Sequence, residues 1–170
     1  MVEEELSQEE IQKRIQMMKE NCIFCKIIKK EIPSKIIFED DICLAILDIN
    51  PATTGHLLLM PKEHYMIMPM VPDEVLGHLN VISKSLCVLL KETFSAKNVT
   101  IFIANGAAAG QQSQHYMMHV IPRYDDDGIN FNLMGSSLKK DELNDLVEKI
   151  KSKLGSTWYL IFFSLFLITI

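Results

Sequence analysis

The sequence lacks a basic stripe, a secretory signal and an apolar run of the length that spans a bilayer. Its formal net charge is -5 and its acidic residues are spread out, which excludes nucleic acid as a bulk polyanionic partner. The acidic, amphipathic start (MVEEELSQEEIQKR) is unlike a secretory signal. These absences predict a cytoplasmic protein. They still allow one bound nucleotide, because backbone N–H groups can hold its phosphates.

Cysteine is scarce, with four residues in the chain. Cys43 and Cys87 stand singly in apolar runs and are predicted to be reduced core residues. Cys22 and Cys25 form a C-x-x-C pair, which in a reducing compartment indicates metal or redox chemistry more often than a structural disulfide. A thioredoxin-like dithiol is disfavoured, because we do not expect this C-x-x-C to open a helix after a βαβ strand.

The hydrophobic pattern predicts one α+β domain with extensions at both ends. Ser7 and Glu10 form a capping-box pattern at the start of a helix that runs to Met18. The predicted strands are Ile36–Glu39, Ile42–Leu47, His56–Met60, Val99–Ala104 and Tyr116–Pro122, and the main helix is Asp73–Thr93. Two groups of strands with one long helix between them predict a mostly antiparallel sheet. The predicted segments are a helical extension (1–20), the main domain (21–137), a C-terminal helix (138–154) and an apolar tail (155–170).

The end of the chain is unusually apolar. Residues 158–170 (WYLIFFSLFLITI) carry no charge and follow Lys149, Lys151 and Lys153. A bilayer span needs about 20 apolar residues, with a lower limit of about 17, and this limit is reached only by counting back to Leu154. Three interpretations stay open: a marginal membrane contact, an element buried against the domain or a partner chain, and a tail of no defined role, such as the product of a shifted reading frame.

The stretch QHYMMHVIPR contains the residues with the clearest chemistry. Side chains alternate along a strand, so His115, Met117 and His119 are predicted to share one face. The Cα atoms of the two histidines would lie about 13 Å apart at about 3.3 Å per residue, too far to bind one metal ion easily. We therefore expect His115 and His119 to have different roles.

Four blocks in this order resemble the histidine triad family. They are CIFCKIIKKEIPSKIIFEDD from Cys22, LDINPATTGHLLLMPKEH from Leu47, NGAAAGQ from Asn105, and the stretch from Gly110 to Arg123. The resemblance implies a five-stranded antiparallel sheet and a homodimer. It also implies binding of purine nucleotides, and hydrolysis or transfer at the α-phosphorus through a nucleotidyl-histidine intermediate.

The resemblance also implies a structural zinc site. Two thiolates of a C-x-x-C can bind one ion, and family members with this motif complete the site with two histidines. The four matching positions here are Cys22, Cys25, His64 and His115. The alternative is a pair of buried thiols with two unrelated histidines.

The same resemblance identifies candidate nucleotide-binding residues. Asp48 matches a carboxylate that accepts hydrogen bonds from the ribose hydroxyls, although it can equally form an Asx turn. Asn105, Gly110 and Gln111 belong to a loop of small residues whose backbone N–H groups can approach a phosphate. His119 matches the last histidine of the triad, which hydrogen-bonds the phosphate; the alternative is an ordinary core histidine.

Three other positions are weaker candidates. His56 matches a family residue with a supporting role near the site. Gln112 stands where the family often has a small hydroxyl residue that contacts phosphate, and a glutamine there is expected to alter that contact. His78 matches no family position and is predicted to be a partly exposed helix residue.

Met117 stands at the position of the family nucleophile. An imidazole can attack phosphorus and then leave, whereas a thioether is a poor nucleophile with no acid–base pKa near neutrality. One interpretation is a nucleotide-binding or sensor module without catalysis. Another is slow hydrolysis by direct attack of water, with His119 stabilising charge. A third is an error in the sequence at this position.

Overall fold

The computed structural model describes residues 7–130, 135 and 137–166. Its main elements are the helices α1 (Gln8–Asn21), α2 (Ile23–Ile28), α3 (Asp73–Phe94) and α4 (Lys140–Phe166), and the strands β1 (Ile36–Glu39), β2 (Cys43–Leu47), β3 (Leu57–Pro61), β4 (Asn98–Phe102) and β5 (Met118–Arg123). Short 3₁₀ turns lie at Met68–Met70 and Ala107–Ala109. The contacts divide the chain into two compact units, Met1–Ile129 and Asn130–Ile170.

The five strands form one sheet in the order β1-β2-β3-β5-β4. Every neighbouring pair is antiparallel, and β5 pairs with β3 on one side and with β4 on the other. The prediction of an α+β fold with a five-stranded, mostly antiparallel sheet is therefore confirmed. In the register, His119 of β5 lies opposite Leu58 of β3 and Phe102 of β4, so this histidine is held at the centre of three strands.

The two faces of the sheet form separate apolar clusters. On one face α3 buries Leu79, Leu86 and Leu90 against sheet residues that include Met118 and Val120. On the other face a cluster joins α2 to the strands and contains Ile27, Leu44, Ile46, Leu58 and Met60. Each fully buried aliphatic side chain contributes about 1.5–3 kcal/mol from burial, so the helices hold the sheet rigid behind the site.

The predicted elements agree with the structure except near their ends, and the short helix α2 was not predicted. The capping box of α1 is present: Glu10 N–H donates to Ser7 Oγ, and the Glu10 carboxylate accepts the Ser7 N–H at 2.9 Å. The last strand begins at Met118 rather than at the predicted Tyr116, because the Tyr116 N–H donates to the carbonyl of Tyr65 outside the β3–β5 ladder.

The second unit contains α4, which extends past the predicted end at Leu154 to Phe166. The apolar residues of its first turns, such as Leu143, Val147 and Ile150, are exposed. Within the described part of the chain, no helix has both the length and the apolarity needed to cross a bilayer.

Candidate functional site

The segment leading into β5 positions the predicted site residues. Tyr116, Met118 and Val120 pack in the cluster under α3, whereas Met117 packs against the cluster on the opposite face. The predicted alternation therefore continues into the two residues before the ladder begins. It leaves His115 and His119 on the same side of the sheet as Met117, where all three line one cleft.

The four predicted metal ligands lie together at one end of this face. Cys25 Sγ is 3.2 Å from His64 Nδ1 and 3.7 Å from His115 Nδ1, and Cys22 Sγ is 3.6 Å from His115 Nδ1. Their ligand atoms all lie within 4.8 Å of one another. Two sulfurs and two ring nitrogens at these distances match the donor set of a tetrahedral zinc site.

A hydrogen bond fixes the tautomer of His115. Its Nε2–H donates to the carbonyl of Pro61 at 2.9 Å, so Nδ1 carries the lone pair that faces the cysteines. His115 is fully buried, and burial lowers its pKa to about 4, which keeps the ring neutral. A neutral imidazole held in this way is prepared to bind a cation. His64 Nε2 is buried with no hydrogen-bond partner among the described residues.

The surroundings of the C-x-x-C motif agree with the prediction that it does not open a helix after a βαβ strand. Cys22 is the N-cap residue of the short helix α2. That helix follows α1 and not a strand, so the βαβ setting of a thioredoxin-like dithiol is absent from this part of the chain. Burial, with the neighbouring Cys22, raises the pKa of the Cys25 thiol to about 12, the opposite of the shift in a redox-active thiol.

The cleft beside β5 has a volume of about 540 Å³. Polar and apolar side chains both line it. Its lining consists of Ile23, Phe24, Asp48, Asn50, His56, Leu58, Phe102, Ala104, Gly110, Gln111, Gln112, Ser113, His115, Met117, His119 and Ile121. Apolar surface combined with convergent polar groups is typical of a small-molecule site.

Two histidines in the cleft form a directed chain of hydrogen bonds. The Ala52 N–H donates to His56 Nδ1 at 3.1 Å, and His56 Nε2 lies 3.0 Å from His119 Nδ1. Because His56 Nδ1 accepts a hydrogen bond, a neutral His56 carries its proton on Nε2 and donates a hydrogen bond from there to His119 Nδ1. Burial lowers the pKa of both rings, although the Asp48 carboxylate acts in the opposite direction. A neutral His119 therefore presents its Nε2–H as a donor.

Asp48 lies at the end of β2, where both of its predicted roles meet. Its Oδ1 accepts the Asn50 N–H at 2.9 Å, which is the Asx turn considered as the alternative. Its Oδ2 lies 3.4 Å from His56 Nδ1, and the side chain is 17% exposed toward the cleft. The turn therefore orients the carboxylate, and Oδ2 remains available to a ligand.

The loop from Asn105 to Gln111 is held by its own side chains. Asn105 Oδ1 accepts the Met68 N–H at 2.8 Å, and Asn105 is outside the set of residues that line the cleft. The Gln111 amide accepts the Gly106 N–H and donates to the carbonyls of Met66 and Ser113, each at 2.7 Å. Both amides therefore position the loop.

The backbone of that loop remains accessible to a ligand. Gly110 has a φ of +88°, in the left-handed region that favours glycine, and a Cβ built there would meet no atom within 4 Å. The chain continues to Ser113, which lines the cleft and whose Oγ accepts the His115 N–H at 3.3 Å. An open left-handed backbone beside a hydroxyl is suited to the close approach of a phosphate.

Sequence reasoning missed Phe24, Phe102 and Ser113. Phe102 lies over His119, with ring centroids 5.9 Å apart, and Phe24 lies 6.2 Å from His115. An aromatic residue inside the C-x-x-C motif was the one available signal for Phe24. No local pattern distinguishes Phe102 from an ordinary strand residue, because its role depends on its pairing with β5.

Comparison with known proteins gives one family. The family model described as "HIT domain" matches residues 29–126. An uncharacterized HIT-like protein of Methanocaldococcus jannaschii is 41% identical, with 76% of this chain and 98% of that protein covered. Adenosine 5'-monophosphoramidase HNT1 of Saccharomyces cerevisiae is 36% identical (78% and 82% covered), and Adenylylsulfatase HINT3 of Arabidopsis thaliana is 35% identical (82% and 72% covered).

Solved structures agree in fold. A histidine triad nucleotide-binding protein from Candida albicans has a TM-score of 0.74 at 32% identity, with 81% of this chain and 99% of that chain covered. A zinc-bound histidine triad family protein from Mycobacterium smegmatis has a TM-score of 0.63 at 30% identity, with 82% and 99% covered.

Proposed function

The chain belongs to the HIT domain family, and from that premise we propose that its cleft binds a purine nucleoside monophosphate or its esters. The observation that carries this proposal is the hydrogen-bond chain from Ala52 through His56 to His119. It leaves the His119 Nε2–H as a donor in the cleft, near the glycine-containing loop and Ser113. Donors converging from a ring and a loop favour an anion such as phosphate.

The rest of the cleft fits a nucleoside. Asp48 Oδ2 can accept hydrogen bonds from the ribose hydroxyls, and the apolar wall of Ile23, Phe24 and Leu58 can take the purine. Asn105 and Gln111 would act as positioning residues, because their amides hold the phosphate loop. Two relatives named as an adenylylsulfatase and an adenosine 5'-monophosphoramidase support an adenosine nucleotide.

The proposed reaction is slow hydrolysis or transfer at the α-phosphorus. Met117 occupies the position of the family nucleophile, so a covalent nucleotidyl-histidine would not form there. Water would attack the phosphorus instead: its oxygen forms the new P–O bond, the bond to the leaving group breaks, and the leaving group takes up a proton. His119 would stabilise the charge on the phosphoryl oxygens. The second candidate is a sensor module that binds the nucleotide without turnover, and Met117 is the observation that favours it.

We also propose a structural zinc ion held by Cys22, Cys25, His64 and His115. Four protein ligands would leave no open position for a reacting water, so the ion would stabilise the fold. It would join the N-cap of α2 to the segments that follow β3 and precede β5, and it would thereby fix the entry of β5 into the cleft.

A homodimer in a reducing compartment completes the proposal. Val81, Val88 and Leu89 of α3 are exposed, as is Ile101 on the edge strand β4. An apolar helix face beside an open strand edge suits pairing with a second copy. All four cysteines lie in described segments and are free thiols, which fits the cytoplasm.

Calorimetry with AMP and with adenosine tests the binding proposal. We expect AMP to bind at least about ten-fold more tightly than adenosine, as charge-assisted hydrogen bonds to the phosphate require. His119→Leu should remove most of that difference. Equal affinities for AMP and adenosine in the unaltered protein would overturn the phosphate site.

Incubation with adenosine 5'-phosphoramidate separates the two candidate activities. Slow release of AMP without a covalent adduct supports hydrolysis by water, and binding without release supports the sensor module. A nucleotidyl adduct on any residue of the cleft would refute the proposed mechanism.

A further inference from the structure

A second cavity adjoins the nucleotide cleft. It has a volume of about 530 Å³ and lies between α1 and the loop that follows Gly110. Its lining consists of Arg14, Met17, Met18, Asn21, Cys22, Ile23, Gln112, Ser113 and Gln114. Ile23, Gln112 and Ser113 line the nucleotide cleft as well, so the two cavities meet at the proposed phosphate loop.

Helix α1 forms the outer wall of this cavity and is anchored to the domain. Lys19 forms an ion pair with Glu63 in the segment after β3, and the Cys22 N–H donates to the carbonyl of Lys19 at the end of the helix. The capping box at Ser7 and Glu10 fixes the other end. All residues of α1 precede residues 29–126, the span matched to the HIT domain family.

The chemistry of the wall is specific. Arg14 is its one lining cation, and among the described residues no carboxylate lies within ion-pair distance (4.0 Å) of its guanidinium. Glu10 lies one helical turn away and interacts electrostatically with Arg14, but its carboxylate is hydrogen-bonded to Ser7. Apolar side chains lie on the same wall, of which Met17 is 61% exposed and Ile23 is 52% exposed, and the other lining residues are uncharged.

The position of the cavity assigns it a role. A phosphate held by His119 and the loop that leads to Ser113 would have the nucleoside on the side of Phe24 and Asp48. Its other substituent, the leaving group, would extend toward α1. Exposed thioether and aliphatic groups suit an apolar body, and a guanidinium at a cavity wall suits a terminal carboxylate or phosphate.

We propose that this cavity is the leaving-group subsite and that Arg14 selects substrates whose leaving group has an apolar body with an anionic end. The inference rests on the proposed function, because it needs a nucleotide phosphate in the adjoining cleft. Arg14 would be a specificity-determining residue, and α1 would be the element that gives this chain its own substrate preference.

A pair of hydrolysis-resistant ligands tests the proposal. Adenosine 5'-(benzylphosphonate) and its 4-carboxybenzyl counterpart differ only in the carboxylate, and the methylene on phosphorus prevents loss of the group. We expect the unaltered protein to bind the carboxylate form about five-fold more tightly, the order of a partly exposed ion pair. Arg14→Gln should abolish that ratio while leaving the affinity for the benzyl form and for AMP unchanged within two-fold.

Lys13→Gln provides the matched control, because Lys13 is the neighbouring cation on α1 and pairs with Glu9 outside the cavity. It should keep the five-fold ratio. Equal binding of the two ligands by the unaltered protein, or equal loss in both variants, would overturn the role of Arg14. Failure to bind AMP at all would refute the proposed function itself, which is a separate outcome from a lost ratio with AMP binding intact.

Discussion

Two groups of histidines line the same face of the sheet, and their rings are hydrogen-bonded in opposite ways. At the cysteine end, His115 donates from Nε2 to the Pro61 carbonyl and presents a lone pair on Nδ1. In the cleft, His56 Nδ1 accepts a hydrogen bond from the Ala52 N–H, and His56 Nε2–H donates to His119 Nδ1. The first arrangement suits a cation and the second suits an anion, so one backbone group behind each ring decides its chemistry.

Hydrogen bonding also distinguishes two groups of residues whose ligand atoms lie at similar distances from one another. Asp48, His56 and His119 lie as close together as many metal ligands do. A metal ion on His56 Nε2 would require a proton on Nδ1, where the Ala52 N–H already donates. The hydrogen bonds therefore argue against a metal ion in the cleft, whereas at the cysteine end they leave Nδ1 of His115 available.

The largest expected effect comes from placing a histidine at position 117, the position proposed for the nucleophile. Met117→His should raise the rate of AMP release from adenosine 5'-phosphoramidate at least about 100-fold, because covalent catalysis commonly contributes several orders of magnitude. Rapid quenching followed by mass spectrometry should detect a nucleotidyl adduct on the new histidine. Met117→Leu is the control of similar size and should remain slow; no gain from histidine would mean that Met117 is not at the reacting position.

The next effect concerns the cation site. Cys25→Ser should remove zinc from the purified protein and lower Tm by about 10 °C, taking about 2–4 °C for each kcal/mol. Metal analysis and thermal unfolding measure the two results. Cys87→Ser changes a half-buried cysteine outside the cluster and should keep about one zinc ion per chain. An unaltered protein that purifies without zinc would contradict the assignment.

A smaller effect should follow from breaking the donor chain behind His119. His56→Leu removes the donor and should weaken AMP binding by about five- to ten-fold, in the range of one hydrogen bond to a charged group. His56→Gln keeps an N–H donor and should recover most of the affinity for AMP. Calorimetry compares the two variants, and equal losses would show that bulk at position 56, and not the hydrogen bond to His119, controls binding.

The smallest expected effect lies behind the site and is stabilising. The hydroxyl of Tyr116 is buried under α3 with no hydrogen-bond partner among the described residues. Tyr116→Phe removes that unpaired group and should raise the free energy of unfolding by about 1 kcal/mol. Thermal unfolding should give a Tm about 2–4 °C higher, with zinc content and AMP affinity unchanged. A lower Tm would indicate that the hydroxyl has a partner.

The sequence predicted the sheet well because its signals are local. Alternating side chains and turn residues located all five strands to within two residues, and the period of α3 gave its length. It missed α2, since six residues are too few for a helical period to appear. The role of Asn105 in nucleotide binding stays a prediction. The sequence could not show that Asn105 Oδ1 accepts the Met68 N–H, because a loop amide finds its partner only when the loop is folded.

The sequence by itself determined which residues share a face and which donor types are present: two thiols, the histidines around β5 and a thioether at position 117. Tertiary structure alone decided what those histidines present to a ligand. The hydrogen-bond partner of His115 is the Pro61 carbonyl, 54 positions away, and that of His119 is the His56 ring, 63 positions away. Residue spacing cannot specify a ring tautomer, because the tautomer depends on which distant hydrogen-bonding group folding brings to the other nitrogen.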